Sequence, residues 1–289
     1  MFSKILVATD FSDASNRVVQ CAACLRCLGV REAVLGHALA VGPNAPGIAE
    51  IRELNATLLT GQRAALETAG IATRVELLTG PTPDAICRYA QEHGCGLLVI
   101  GSHGMDWTST ALLGGSAYGI LQTTRLPTLV IRVTPTPGKP PICSQGACAL
   151  LDHVLFPTDF SDNAEHALPY VRHLAECGAR RVTLAHVQDR FRIEPYLSDR
   201  LDEFNRIDRD RLSRIAQSLQ PALGTRSPET ALVLGRPGPE IVRLTAEGNC
   251  SLVVMGTQGR GALAELLLGS VSHYVARRSP APTLLIPKP

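Results

Sequence analysis

The sequence predicts an α/β protein made of two tandem domains, each with a five-stranded parallel sheet. Three observations lead to this prediction. Short apolar segments alternate with longer amphipathic ones, as strands alternate with helices. The segment Ile5–Asp13 recurs as Val154–Asp162, and both copies end in Thr-Asp-Phe-Ser-Asp. A Gly-x2-Gly pattern follows the fourth apolar segment of each half, beginning at Gly101 and at Gly256. The chain is therefore a tandem duplication.

Length and composition agree with two domains. The chain has 289 residues, of which 45% are hydrophobic. A domain of about 140 residues is large enough to enclose its own core. We expect domains at residues 1–134 and 151–289, joined by a proline-rich linker at 135–150.

Charge and cysteine content narrow the class of function. A net charge of +2 gives no reason to expect nucleic acid or an anionic membrane as a partner. No segment has the roughly 18 apolar residues of a membrane span, and the N-terminus has the pattern of a strand rather than of a signal peptide. Nine cysteines, an odd number, fit a reducing compartment better than a disulfide scaffold. We therefore expect a cytoplasmic protein.

Each half is predicted to contain five strands with helices between them. In the first half the strands are expected at 3–9, 33–38, 73–79, 96–100 and 127–132. In the second half they are expected at 152–157, 181–187, 230–234, 251–255 and 282–286. Long helices are expected after the second strand of each half, at 51–67 and 190–220. Because such alternation gives a parallel sheet covered on both faces, a ligand should lie beyond the carboxyl ends of the strands.

The second half contains a glycine signature at this edge of the sheet. Gly256-Thr-Gln-Gly259 is followed by nine residues and then by Gly269-Ser270. Glycines let backbone N–H groups approach an anion, and the start of a helix adds partial positive charge. The signature therefore predicts a phosphate site.

The first half repeats the signature with changes. Gly101-Ser-His-Gly104 is followed by Gly114-Gly115-Ser116. Either a glycine takes the serine position or the spacer has ten residues, so the register of this loop stays open. Asp106 would lie close to the expected phosphates, where its carboxylate would repel a triphosphate. The second half instead has Arg260 directly after its loop. We expect the nucleotide mainly in the second domain.

Both halves resemble universal stress protein domains, and the chain is similar to the tandem members of that family. The resemblance rests on Pro157-Thr-Asp-Phe-Ser161, on His186-Val187 at the end of the second strand, on the glycine signature, and on the closing Pro-Thr-Leu-Leu-Ile at 282–286. It covers nearly all of the sequence outside the linker. The resemblance implies Rossmann-like domains of the adenine nucleotide α-hydrolase type, which bind ATP in one branch of the family.

The resemblance also implies roles for individual residues. Asp159 would contact the ribose or adenine, and Val187 the adenine through its backbone. The phosphates would be bound by Gly256, Gly259, Gly269 and Ser270, within reach of Arg260. The same pocket would be lined by Pro157, Met255 and Val271. The less certain counterparts in the first domain are Asp10, Gly101, Gly104, Gly115 and Ser116.

Two alternatives remain for these assignments. Asp10 and Asp159 could instead end a strand and cap the next helix, and Arg260 could be a solvated surface residue. The expected ligand is ATP, alone or with Mg²⁺, while AMP or another adenine nucleotide stays open.

The sequence predicts binding rather than catalysis. A P-loop lysine motif and the protein-kinase motif set are both absent. We therefore expect an ATP-binding stress-response protein, a nucleotide-dependent sensor or regulator with an unidentified protein partner, and with no catalytic residues or metal ligands. A slow ATP hydrolase is the first alternative. The second is a nucleotide-free redox or interaction protein.

The redox alternative rests on Cys21, Cys24 and Cys27, which follow one another at intervals of three. On a continuous helix they would lie opposite the apolar stripe of Val18, Ala22 and Leu25. Burial under a neighbouring helix or subunit, oxidation and binding of a soft metal all stay open. Cys143 and Cys148 in the linker are a further candidate pair.

The last strands of the two domains suggest how the chain assembles. Pairing of Thr128–Val133 with Thr283–Ile286 would hide two sheet edges and make the chain a pseudo-dimer. Further assembly into a homodimer stays open.

Overall fold

The computed structural model describes residues 1–40, 48–102, 113–132, 149–191, 200–259 and 268–288, with the backbone alone at 48–52 and 54–57. The chain divides into two compact units, which we call unit 1 (Met1–Cys148) and unit 2 (Ala149–Pro289). In the described residues, no helix is long and apolar enough to cross a membrane.

Unit 1 alternates five strands with four helices in its described part. The elements in chain order are β1 (Lys4–Ala8), α1 (Asp13–Ala23), β2 (Glu32–Leu39), α2 (Ile48–Thr68), β3 (Ala72–Thr79), α3 (Thr82–Glu92), β4 (Leu97–Gly101), α4 (Gly115–Thr123) and β5 (Thr128–Ile131). A short 3-10 helix, Cys24–Leu28, follows α1 directly. The strands are parallel and lie in the order β3-β2-β1-β4-β5.

Unit 2 has the same arrangement. Its elements are β6 (His153–Pro157), α5 (Asp162–Glu176), β7 (Arg181–Asp189), α6 (Leu201–Leu223), β8 (Glu229–Gly235), α7 (Pro237–Glu247), β9 (Leu252–Gly256), α8 (Ser270–Arg278) and β10 (Thr283–Ile286). The strands are parallel in the order β8-β7-β6-β9-β10. The chain thus adds strands on one side of β6 first and on the other side afterwards.

The predicted fold class is confirmed. Every predicted strand is present, and each strand end lies within two residues of its expected position. Of the long helix expected at 190–220, the structure shows α6 at Leu201–Leu223, whereas residues 192–199 lie outside the described part of the chain. Most of the expected linker lies outside the described residues, and the pairing of the two last strands stays a prediction.

The central strands of each unit are buried on both faces. Leu6 and Leu98 in unit 1 are fully buried, as is Val253 in unit 2, while Leu155 is 1% exposed. These strands consist of continuous apolar runs because helices cover both faces of a parallel sheet. The edge strand β8 is more exposed along its length. The sheet core therefore fixes the position of the loops that follow β6 and β9.

Both units contain a close contact between their last two helices, but the glycine lies on the second of these helices in unit 1 and on the first in unit 2. In unit 1, Gly119 on α4 faces Pro83 on α3, and a Cβ placed on the glycine would lie 2.6 Å from the proline ring. In unit 2, Gly238 on α7 faces Tyr274 on α8, and a Cβ there would lie 2.9 Å from the tyrosine ring. Each pair joins one large residue to one glycine, so the helices approach closely in both units.

We expect Gly119→Ala to lower the free energy of unfolding by about 1–3 kcal/mol, because the rigid ring of Pro83 cannot yield to the new methyl group. Gly61→Ala in α2 is the control, since nothing lies within 4 Å of its Cβ position. It should raise stability by up to about 1 kcal/mol, the usual gain of alanine over glycine in a helix. Urea unfolding measures both values, and equal shifts of the same sign would contradict the packing.

A buried histidine lies at the start of β6. His153 is 5% exposed, and its Nδ1–H donates to the carbonyl oxygen of Gly248 at 2.8 Å. Its Nε2 lies 2.8 Å from the hydroxyl of Thr183. Burial is the main cause that lowers the pKa of His153, and the hydrogen bond to Gly248 opposes it only in part. The folded protein therefore favours the neutral imidazole.

We expect acid to destabilise the protein through His153. As the pH falls below about 6.5, the unfolded chain gains a proton there more readily than the folded chain, whose His153 pKa is lowered, and this lowers the free energy of unfolding by up to about 1.4 kcal/mol per pH unit. His153→Gln removes this titration. Urea unfolding at pH values of about 7.5 and 5.5 should therefore show a smaller loss for the variant than for the parent protein. Equal losses would show that His153 does not contribute.

Candidate functional site

The order of strands in unit 2 changes direction between β6 and β9, and we call the space beyond their carboxyl ends the crevice of unit 2. Strand β7 continues to Asp189, but its last paired residue on the β6 side is Ala185, opposite Pro157. On its other side β6 pairs with β9, with Leu155 opposite Val253. The loops after β6 and β9 therefore lie side by side at the carboxyl edge of the sheet. In open α/β sheets this is where ligands bind.

The turn after β6 holds Asp159 in a fixed position. The carboxylate Oδ1 of Asp159 accepts hydrogen bonds from the backbone N–H and the hydroxyl of Ser161, at 3.1 and 2.6 Å. Ser161 in turn caps α5 by accepting from the N–H of Ala164. Phe160 between them has a φ of 58°, an unfavourable conformation for a phenylalanine. Its N–H donates to Thr158, and its ring packs 4.5 Å from that of His186, which offsets the strain.

This turn bears on the alternative that Asp159 caps a helix. The capping residue of α5 is Ser161, and Asp159 orients it. The other carboxylate oxygen, Oδ2, lies against the glycine loop: a Cβ placed on Gly259 would be 2.6 Å from it. Asp159 thus supports the turn with one oxygen and reaches the loop after β9 with the other.

The two loop glycines are required by neighbours within the protein. Besides the contact of Gly259 with Asp159, a Cβ on Gly256 would lie 2.6 Å from the side-chain nitrogen of Asn163. The sequence predicted these glycines as sites where an anion approaches. The structure shows that they also let the loop pack against the start of α5.

The loop is joined to the start of α8. The N–H of Gly269 donates to the carbonyl oxygen of Thr257 at 2.6 Å, and the buried hydroxyl of Ser272 donates to the carbonyl oxygen of Gly256 at 2.9 Å. Gly269 is the N-cap residue of α8 and brings no capping side chain, unlike Ser161 at α5. The first N–H groups of α8 therefore receive no acceptor from their own cap, which is typical of helix starts that bind anions.

Two polar side chains at this loop were missed by the sequence prediction. Asn163 and Thr257 are 6% and 5% exposed. Asn163 donates from Nδ2 to the carbonyl oxygen of Gln258 at 3.0 Å. In the described part of the chain, two buried side-chain oxygens lack a hydrogen-bond partner, and they are Oδ1 of Asn163 and Oγ1 of Thr257. A signal was present in the sequence, because Asn163 directly follows Thr-Asp-Phe-Ser-Asp and the first half has Ala14 there.

The remaining predicted residues lie around this crevice. Val187 on β7 and Met255 on β9 are buried, as is Pro157 at the end of β6. Ser270 is exposed at the first turn of α8, and Val271 beside it is half-buried. Arg260 lies outside the described residues.

The electrostatics at the start of α8 are set by its backbone. His273, in the first turn, is half-buried. Burial lowers the pKa of His273, and the charge of Arg277 lowers it further. The imidazole is therefore mainly neutral near pH 7 and adds no fixed charge. Within the described part of the chain, backbone N–H groups supply the positive potential at this helix start.

Unit 1 repeats the backbone geometry and resolves the register of its loop. The N–H of Gly114 donates to the carbonyl oxygen of Ser102 at 2.9 Å, as Gly269 does to Thr257. Gly114 is likewise the N-cap residue of α4. Gly115 therefore occupies the position of Ser270, and Ser116 follows it. Gly101 ends β4 as predicted, whereas Gly104 lies outside the described residues.

Unit 1 carries fewer polar groups on this backbone. Asp10 forms the same turn as Asp159, with Phe11 at a φ of 64°. The hydroxyl of Ser270 is missing, however, because Gly115 stands there. Alanines stand at two further positions that are polar in unit 2, with Ala14 for Asn163 and Ala117 for Ser272.

The three cysteines at the end of α1 do not form one accessible stripe. The helix ends at Ala23 and continues as a 3-10 helix, so the predicted helical spacing fails from Cys24 onward. Cys21 is buried and Cys24 is half-buried, and neither forms a disulfide, whereas Cys27 is exposed and disulfide-bonded. Of the alternatives considered for these cysteines, burial therefore describes Cys21. The expected reducing compartment does not account for the disulfide at Cys27.

Comparison with known proteins agrees with this architecture. The model of the Universal stress protein family matches residues 1–132 and 151–287. The universal stress protein MJ0577 of Methanocaldococcus jannaschii is 29% identical over 150 residues, which are 46% of this chain and 93% of that protein. A universal stress protein from Thermus aquaticus is 28% identical over 134 residues, covering 46% of this chain and 96% of its own length.

A solved structure shows the same fold over nearly the full length of the chain. The crystal structure of a universal stress protein from Archaeoglobus fulgidus matches 99% of this chain and 98% of its own, with a TM-score of 0.74 and 23% identity. A universal stress protein in complex with cAMP is 27% identical over 47% of this chain and 95% of that chain, with a TM-score of 0.34. Because the family model covers nearly all of both units, the chain belongs to the universal stress protein family and carries two of its domains.

Proposed function

We propose that the protein binds ATP in the crevice of unit 2 and acts as a nucleotide-dependent sensor or regulator in a stress response. The observation that carries this proposal is the junction between the glycine loop and α8. There, the N–H of Gly269 donates a hydrogen bond to the carbonyl oxygen of Thr257, directly after β9, and the helix begins without a capping side chain. A phosphate oxygen matches such a cluster of backbone donors.

The crevice offers each part of the nucleotide a chemically suitable surface. Asp159 has a carboxylate that can accept hydrogen bonds from ribose hydroxyls. The extension of β7 past β6 leaves Val187 at the side of the crevice, where its backbone can meet the adenine. The phosphates are assigned to Gly256, Gly259, Gly269 and Ser270, with Arg260 beside them. Apolar walls come from Pro157, Met255 and Val271.

Unit 1 is assigned a weaker or altered site. Its helix start has the same geometry, but Gly115 offers no hydroxyl and Ala14 no amide. Asp10, Gly101, Gly104 and Ser116 remain its candidate contacts. The nucleotide is therefore expected mainly in unit 2.

Binding without rapid turnover follows from the groups at the crevice. Phosphoryl transfer needs a positioned base or a pair of metal-binding carboxylates, and the carboxylate nearest to the Cβ position of Gly259 is that of Asp159, which already supports the turn. The bound nucleotide, ATP alone or with Mg²⁺, would then act by changing the surface offered to a protein partner. AMP competes for the same contacts.

We expect Gly259→Ala to weaken ATP binding at least tenfold. The added Cβ would lie 2.6 Å from Oδ2 of Asp159 and push the loop from the turn. Isothermal titration calorimetry of the full chain with ATP, AMP and cAMP measures the affinities. Gly115→Ala is the control in unit 1, because nothing lies within 4 Å of its Cβ position.

Three results would change the proposal. Failure of the parent protein to bind any adenine nucleotide would refute it. Loss of binding in Gly115→Ala but not in Gly259→Ala would move the site to unit 1. Release of ADP that stops in Gly259→Ala would favour the slow hydrolase.

A further inference from the structure

Asn163 lies where the start of α5 meets the glycine loop of unit 2. We propose that Asn163 is a positioning residue, which turns the peptide between Gln258 and Gly259 so that the Gly259 N–H joins the donors at the start of α8. The role deepens the proposed function, because the bound group would be a nucleotide phosphate.

The side chain of Asn163 holds the peptide from one side. Its Nδ2 donates to the carbonyl oxygen of Gln258 at 3.0 Å. In a trans peptide the carbonyl oxygen and the N–H of the next residue point in opposite directions. Because the carbonyl oxygen of Gln258 points to Asn163, the N–H of Gly259 points away from it.

The start of α8 lies close to that N–H group. The backbone nitrogen of Gly259 is 4.0 Å from the position that a Cβ on Gly269 would take, and the Cα of Gln258 is 3.5 Å from the same point. The N–H of Gly259 therefore lies near the helix start, which has no capping side chain. Successive backbone N–H groups in such a concavity bind anions.

The burial of the Asn163 side chain against the loop is unfavourable for stability. Oδ1 of Asn163 is buried without a hydrogen-bond partner, and burying an unsatisfied polar atom is unfavourable. The same helix position in unit 1 is Ala14, which shows that an apolar residue is compatible with this fold. The asparagine is thus poorly explained by stability alone and well explained by the peptide that it orients.

Two variants separate positioning from stability. Asn163→Ala removes the donor together with the unpartnered oxygen. Asn163→Asp keeps the shape but cannot donate to the carbonyl oxygen of Gln258. Thr257→Val is the control for loop order, because it removes the other unpartnered oxygen and leaves the bond to Gln258 in place.

Amide ¹⁵N relaxation on the ligand-free full chain measures the backbone order parameters of the loop directly. We expect the order parameters of Gln258 and Gly259 to fall from about 0.85, typical of rigid backbone, toward about 0.6 in both Asn163 variants, and to stay high in Thr257→Val. ATP affinity, measured by calorimetry, should fall about tenfold in both Asn163 variants. The melting temperature of Asn163→Ala should change little, since the lost bond is offset by removal of the buried oxygen.

The outcomes distinguish this role from the proposed function. Unchanged order parameters in both Asn163 variants would overturn the positioning role whether or not ATP binds. Lower order parameters with unchanged ATP affinity would overturn it too, because the loop would then not serve binding. If the order parameters fall but the parent protein binds no nucleotide, the orientation of the loop by Asn163 is supported and the nucleotide proposal fails.

Discussion

The contact between the start of α5 and the glycine loop after β9 is the constraint on which the candidate site depends. Asp159 lies against Gly259 and Asn163 against Gly256, each too close for a Cβ on the glycine. The two segments are distant in sequence and meet because β6 and β9 are neighbours in the sheet. The position of the glycine loop therefore depends jointly on the strand order, on the loop glycines and on the turn before α5. We therefore expect a change in any of them to move the loop relative to the start of α8.

The duplication shows which features the fold requires. Both units keep the Asp-Phe-Ser turn with its strained phenylalanine and the bond between helix start and strand end. They also keep a close helix contact, although the glycine and the large residue have exchanged places between Gly119 with Pro83 and Gly238 with Tyr274. Three polar residues at the crevice of unit 2 have no polar counterpart in unit 1, and they are Asn163, Ser270 and Ser272. Backbone geometry is thus common to both units, while these three polar side chains occur in unit 2 alone.

Strand positions and fold class could be predicted because buried parallel strands leave a strong apolar pattern. The end of α1 could not be predicted, because Cys24 begins a 3-10 helix within a sequence that continues the helical pattern. The register of Gly115 needed the hydrogen bond of Gly114, which spacing alone does not reveal. Asn163 was missed because its importance lies in tertiary contacts with Gly256 and Gln258. Elements with a local sequence pattern could thus be predicted, whereas features that depend on tertiary contacts could not.

The central claim is that a nucleotide binds at the junction of the glycine loop and α8 in unit 2. Hydrogen–deuterium exchange of the full chain, with and without saturating ATP, tests it most directly. We expect ATP to slow exchange in peptides covering 256–259 and 268–272, since bound phosphate would protect those N–H groups. Peptides covering 113–117 in unit 1 should change far less. Protection confined to unit 1, or none in either unit with ATP bound, would contradict the claim.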